Sequence, residues 1–145
     1  MSLARVLSVC AALAFLVGGQ GCASPATRVV LISGRDDHGL VARPAVALLR
    51  SPNDSVVNGS AMDGSFVFVL REQNSWLYVR TIEAVAQEGW IDDHYARGDA
   101  VLIGRAVRVT FRDAAFRDGA AMVLVRTSSG DEWVSASALR EVGAR

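Results

Sequence analysis

Residues 76–98 read WLYVRTIEAVAQEGWIDDHYARG, and this stretch decides the fold. In WLYVRT, Trp76 and Tyr78 alternate with Leu77 and Val79. That period of two marks a half-buried strand, because successive side chains point to opposite faces. A second apolar run, Gly89-Trp90-Ile91, follows a polar connection, and Asp92-Asp93-His94 ends it as turn residues do. The connection, residues 81–88, reads either as a long hairpin tip or as one turn of helix between strands. Two tryptophans and two tyrosines in so short a span fit a catalytic pocket, an aromatic binding surface or a plain β-core.

The same alternation continues outward. Upstream, GSFVFVL (64–70) sets Phe66, Phe68 and Leu70 on one face and Val67 and Val69 on the other, and REQNS (71–75) is a polar turn. RVVLIS (28–33) is a β-branched run closed by the turn GRDDHG, and AVALLRSPND (45–54) is a strand that Pro52 ends or confines to an edge. Downstream, AVLIGRAVRVTF (100–111) supplies a strand or hairpin, and RDAAFRDGAA (112–121) reads as a loop or short helix. MVLVRT (122–127) is a strand, SSGD a turn, and EWVSASAL (132–139) a last strand. Short strands at regular spacing, with turn signals between them and no long amphipathic helix, predict an all-β barrel or sandwich.

The front of the chain is of another kind. MSLARVLSVCAALAFLVGGQGC begins with one arginine, Arg5, and runs through an apolar stretch too short to span a bilayer, which needs about 20 such residues. The pattern predicts an export signal over residues 1–21. GGQGC resembles a bacterial lipobox, with Gly19 where a leucine is usual, and the resemblance implies lipidation of Cys22. The membrane is then a partner through a lipid anchor, since acyl chains tether a protein without spanning. Ala23 and Ser24 after the cysteine suggest the outer membrane, facing the periplasm. With Cys10 in the signal and Cys22 lipidated, the folded part holds no thiol for a disulfide, a metal or nucleophilic catalysis.

Charge narrows the function further. Fifteen basic residues, all arginine, balance fifteen acids to a net charge of zero, with no basic stripe. Nucleic acid is therefore not an expected partner. No Gly-x-Ser-x-Gly or glycine-rich phosphate loop is present, so no catalytic residue and no cofactor is assigned. Two Asp-Asp-His triplets, at 36–38 and 92–94, offer oxygen and nitrogen donors. Adjacent residues in an extended segment point apart, so these read as solvated turns and no metal is expected.

Four pieces in order carry a family resemblance: ALLRSP (47–52), GSFVFVL (64–70), NSWLYVR (74–80) and GWIDDHY (89–95). Together they resemble the bacterial SH3-like (SH3b) domains of envelope proteins over residues 40–98. The connection 81–88 is longer than the family's, and Ala96 stands where a leucine is common. The resemblance implies a small SH3-like β-barrel in which Trp90 is structural. It also implies a ligand-binding face built from Tyr78, Tyr95, Trp76 and Arg50, with residues 53–62 beside it and residues 81–88 at its rim. Peptidoglycan or an envelope protein is the expected partner, bound without catalysis. The alternative is a structural or assembly subunit of an envelope complex.

Val-Arg-Thr followed by a polar turn, an acid, Trp and a branched residue occurs twice, at 79–91 and at 125–134. Either a second, degenerate SH3-like barrel fills residues 99–145, or two similar hairpins sit in one larger β-domain. The expected organisation is thus a signal over 1–21, a tether and first strand over 22–39, a barrel over 40–98 and a second β-unit over 99–145.

Overall fold

The computed structural model describes residues 28–143; the predicted signal and Cys22 lie outside the described residues. The chain is all-β. Its first sheet contains β1 (Arg28–Ile32), β2 (Ala45–Leu49), β3 (Val57–Met62), β4 (Phe66–Gln73), β5 (Trp76–Thr81), β6 (Glu88–Asp92) and β7 (Ala96–Arg97). The second contains β8 (Asp99–Leu102), β9 (Val107–Arg117), β10 (Ala120–Thr127), β11 (Gly130–Ser135) and β12 (Leu139–Arg140). The spatial orders are β3-β2-β6-β5-β4-β1-β7 and β11-β10-β9-β8-β12, and every pairing within them is antiparallel.

The two sheets repeat one design. In each, a meander of strands ends in a one-turn 3-10 helix, and a two-residue strand then returns to pair with the first strand. The turns are built alike. Asp92 accepts a hydrogen bond from the His94 N–H ahead of Asp93–Tyr95, and Ser135 accepts one from Ser137 ahead of Ala136–Ala138. Both caps use a short side-chain acceptor to satisfy a donor that the helix start leaves free. The Val-Arg-Thr echo in the sequence is therefore a repeated hairpin, 3-10 turn and closing strand.

What differs is what lies between the first two strands of each meander. In the first sheet the β2–β3 hairpin is inserted there, and β2 reaches across to β6. In the second, only residues 103–106 separate β8 from β9.

β1 and β4 explain how the sheets join. Val30, Ile32, Val67 and Val69 face the interior of the first sheet, together with Val46, Leu48, Leu77, Val79 and Ile91. The alternate residues Val29, Leu31 and Phe66 face the other way, into a core shared with Ala100, Leu102, Val109, Val123, Val125 and Leu139 of the second sheet. Both strands are thus covered on both faces, so RVVLI is an uninterrupted apolar run where a one-faced strand would alternate. The second sheet brings small residues to this core, with Ala100 and Ala114 buried in it and Ala121, Ala136 and Ala138 packed against it. Phe66 supplies the missing bulk and meets Phe111 edge-on, with ring centroids 5.0 Å apart.

A polar cluster ties the end of the second sheet to the first. Glu141 accepts hydrogen bonds from the Ser33 hydroxyl at 2.7 Å and from Arg97 Nε at 3.1 Å, and Arg35 Nε lies 3.5 Å away. Beside it, the Gly34 N–H donates to Asp63 at 2.9 Å. A Cβ on Gly34 would stand 1.8 Å from the Arg43 carbonyl oxygen, so only glycine lets the chain cross itself there.

Two segments differ from the sequence expectation. Residues 112–121 are neither loop nor helix: β9 runs through Arg117, and β10 begins at Ala120 after the Asp118–Gly119 turn. A register shift in the β9–β10 pairing, where Phe111 and Asp113 face Val125 and Leu124, leaves Arg112 unpaired. Such a bulge breaks the alternation by which a strand is read. Residues 57–62, which were not read as a strand from the sequence, are β3. VNGSAM has little β-propensity of its own, and pairing with β2 makes the strand.

Candidate functional site

β2 meets β6 at a single registered pair, Leu49 opposite Trp90. Toward its N-terminus β2 diverges from β6, and a cleft of about 310 Å³ opens between it and the 3-10 turn Asp93–Tyr95. Its floor is apolar, made by Val46, Leu49 and Ile91, and its walls are Trp76 and Tyr95. Arg43, Ala47, Asn53, Asp92 and His94 complete the lining. The size is at the lower end for ligand sites, about 300–1,000 Å³, which suits one or two side chains of an extended ligand. In the larger hollows, about 520 Å³ beside residues 35–39 and about 500 Å³ beside Arg28 and Glu72, polar surface outweighs apolar, whereas in the cleft the balance is reversed.

Each wall is fixed by local chemistry. Tyr95 ends the 3-10 turn that Asp92 caps, its carbonyl accepts the Ser33 N–H at 2.7 Å, and the Arg43 guanidinium lies 5.9 Å from its ring centroid. His94 packs on Tyr95 with ring centroids 3.8 Å apart, and its Nδ1 sits 2.8 Å from Asp92 Oδ1. The His94 backbone N–H, and then its imidazole, hold the Asp92 carboxyl below its ordinary pKa. Trp76 opens β5, directly opposite Asp92 on β6. The cleft thus offers two aromatic faces, a cation at Arg43 and an anion at Asp92. It holds no nucleophile paired with a base, and among the described residues no group of three His, Asp or Glu is placed to hold a metal ion.

The four residues expected to bind ligand are distributed unevenly. Trp76 and Tyr95 meet in the cleft. Tyr78 lies on the outer face of β5, where its hydroxyl donates to Glu88 at 2.8 Å and its ring meets Trp90 edge-on, 5.3 Å between centroids. Arg71 covers both rings, 4.6 Å from Tyr78 and 5.4 Å from Trp90, a cation held over two aromatic faces. Arg50 points to Asp54 at 3.0 Å, and Asp54 also accepts from Ser51 and from the Val56 N–H. Arg50 therefore braces the β2–β3 connection and does not line the cleft. Three polar lining residues, Arg43, Asp92 and His94, were not singled out as binders from the sequence. Arg43 carries the signal of a cation beside Pro44 just ahead of a strand, and His94 that of an aromatic beside Tyr95 in a turn.

The Tyr78 corner gives a pH prediction. Arg80 and then Tyr78 hold Glu88 below its ordinary value of 4.5. With the folded pKa depressed, its contribution to stability is present above the unfolded value and is lost as pH falls through the folded one. The hydrogen bond to Glu88 raises Tyr78 above its ordinary 10.0. That contribution is present below the unfolded value and is lost as pH rises through the raised one. In a Tyr95→Phe background, Glu88→Gln should bring the tyrosinate absorbance midpoint of Tyr78 down toward 10.0. An unmoved midpoint would mean that burial and not Glu88 sets it.

Comparison with protein-family models, curated proteins and solved structures yields no match for this chain.

Proposed function

We propose that this chain is an exported, lipid-anchored protein of the bacterial cell envelope, and that its first sheet is an SH3-like binding module without catalytic activity. The ligand is an extended peptide, from the cell wall or from a protein partner, lying across the Trp76–Tyr95 cleft. The observation that carries this reading is the cleft itself. The β2–β3 excursion and the 3-10 turn part there to leave two rigid aromatic walls over an apolar floor. Flat aromatic area binds at low entropic cost, and Arg43 supplies a partner for a peptide carboxylate. In the SH3-like domains this sheet resembles, ligands lie on exposed aromatics between the distal hairpin and the loop after the first strand, and here that loop, the β2–β3 connection, borders the cleft through Asn53.

The test is co-sedimentation of the full chain, in detergent, with purified peptidoglycan. Wild type should bind, and Trp76→Ala/Tyr95→Ala should bind at least about 30-fold more weakly, as loss of central aromatic anchors does. Tyr78→Phe, outside the cleft, should bind as wild type does. Binding kept by a folded double variant would remove the cleft from consideration. No binding by wild type would exclude the wall and direct the search to protein partners. A second reading, a structural subunit that assembles through strand edges, is favoured by one observation, the open edge of β11.

A further inference from the structure

The edges of the two sheets are unequally protected. β7 and β12 end their sheets with only two residues each. β3 is longer, but the Gln87 side chain from the β5–β6 loop reaches it and accepts the Ser60 N–H at 3.1 Å. β11, six residues long, pairs with β10 on one side and, among the described residues, with no strand on the other. Its counterpart in the first sheet, β6, has that same side covered by β2. In the second sheet the inserted hairpin is missing, and the short turn in its place sends only Arg105 across to Glu132.

The backbone of β11 is therefore ready for a strand. The two-residue turn Ser128–Ser129 makes Thr127 and Gly130 the closing pair of the β10–β11 hairpin. Counting from that hydrogen-bonded pair, Asp131, Trp133 and Ser135 are at the alternating positions whose N–H and C=O groups point away from β10. Charged residues often guard such an edge, but here both acids are already neutralised. Arg112 and Arg126 each lie 3.6 Å from Asp131, and Arg105 pairs with Glu132. Trp133 is left 37% exposed beside them, with Arg117 over its ring at 4.6 Å.

We propose that this edge pairs with β11 of a second copy, making an isologous dimer whose two five-stranded sheets run together. The pairing rests on strand geometry and is independent of the cleft. A two-fold axis normal to the sheet gives an antiparallel pair and keeps outer residues opposite outer residues, which leaves two central registers. One sets Glu132 against Glu132 and repels. The other sets Trp133 against Trp133, Asp131 against Ser135 and Glu132 against Val134, so no like charges face one another. Directly opposed aromatic side chains stabilise a strand pair, and the second register is the one the sequence allows. The chain needs no other free strand for this contact, since each copy offers the edge the other lacks.

The experiment is light scattering, corrected for detergent, on the purified full chain, together with single-cysteine crosslinking. Wild type should have the mass of a dimer, and Trp133→Glu that of a monomer with an unchanged melting curve. Under mild oxidation Trp133→Cys should crosslink above the background of wild type. Hydrogen-bonded opposed residues sit with Cα atoms about 5.5 Å apart, within the span of a disulfide. Glu132→Cys should not, because its copies are diagonal neighbours roughly 7–8 Å apart. A monomeric wild type, a dimer unaffected by Trp133→Glu, or crosslinking through position 132 as strong as through 133 would each overturn the proposal. If Trp133→Glu fails to fold, the two cysteine variants decide the matter alone.

Discussion

Phe66→Ala is expected to destabilise the protein by about 3–5 kcal/mol, the usual cost of emptying a fully buried aromatic site. For a chain of this size that corresponds to a fall in melting temperature of roughly 15 °C. Phe66 is 2% exposed, and its ring stands between β4 and the second sheet, edge-on to Phe111. The neighbours cannot collapse into the space, because the second sheet contributes chiefly alanine and valine there. The loss should not be confined to one sheet. Val29, Leu31 and Phe66 fill a core that the second sheet does not fill by itself, so both sheets should unfold in one transition. Far-ultraviolet circular dichroism and tryptophan fluorescence check this, since Trp90 reports on the first sheet and Trp133 on the second. Separated transitions, or a shift of only one or two degrees, would mean that the second sheet is stable without the first.

The second large effect is expected at the seam of the first sheet. A Cβ on Gly89 would lie 2.7 Å from Leu48 Cβ, 2.9 Å from the Leu48 carbonyl carbon and 3.0 Å from the Leu49 carbonyl oxygen. Part of that obstruction is backbone, which cannot swing aside as a long side chain can. Gly89 is not among the glycines of positive φ, so alanine meets no conformational penalty and the whole cost is space. Overpacking of this kind costs about 1–3 kcal/mol. Its structural consequence is more specific, because the one registered β2–β6 pair, Leu49–Trp90, adjoins this position and β2 must lift away from it. Gly89→Ala should therefore speed amide exchange through Ala45–Leu49 and Val57–Met62 while β4 and β5 stay protected. Under the proposed function, the same variant should also weaken binding at the Trp76–Tyr95 cleft, whose floor includes Val46 and Leu49. Uniform exchange across the sheet would show that β2 is held by more than its crossing of Gly89.

Much of the architecture was legible because its strands have two different faces. WLYVRT alternates cleanly, and the structure buries Leu77 and Val79 while leaving Trp76 and Tyr78 only partly covered. GWIDDHY announced both a strand and the turn that ends it. Legibility failed where neighbours and not local pattern decide the state. β3 is a strand because β2 lies beside it, and the bulge at Arg112 hides the continuity of β9. The site followed the same division. Trp76 and Tyr95 are nineteen positions apart in the chain and converge because β5 pairs with β6, which the alternation predicts. That Arg50 turns to Asp54, and that Arg71 covers Tyr78, depends on rotamers within an exposed surface, and no periodicity records those.

The place of β1 has a mechanical consequence under the proposed N-terminal anchor. Tension applied through such an anchor would enter the first sheet at Arg28 and act on β1, which is bonded to β4 on one flank and to β7 on the other. A strand pulled along its own axis loads its cross-strand bonds together, in shear, whereas a strand peeled from an edge surrenders them one at a time. Val29, Val30, Leu31 and Ile32 are each no more than 3% exposed, so withdrawing β1 would also drag its apolar side chains into water. With such an anchor, the first strand to bear load is one held on both flanks, and the more open β2–β3 hairpin and β11 edge come later in the chain.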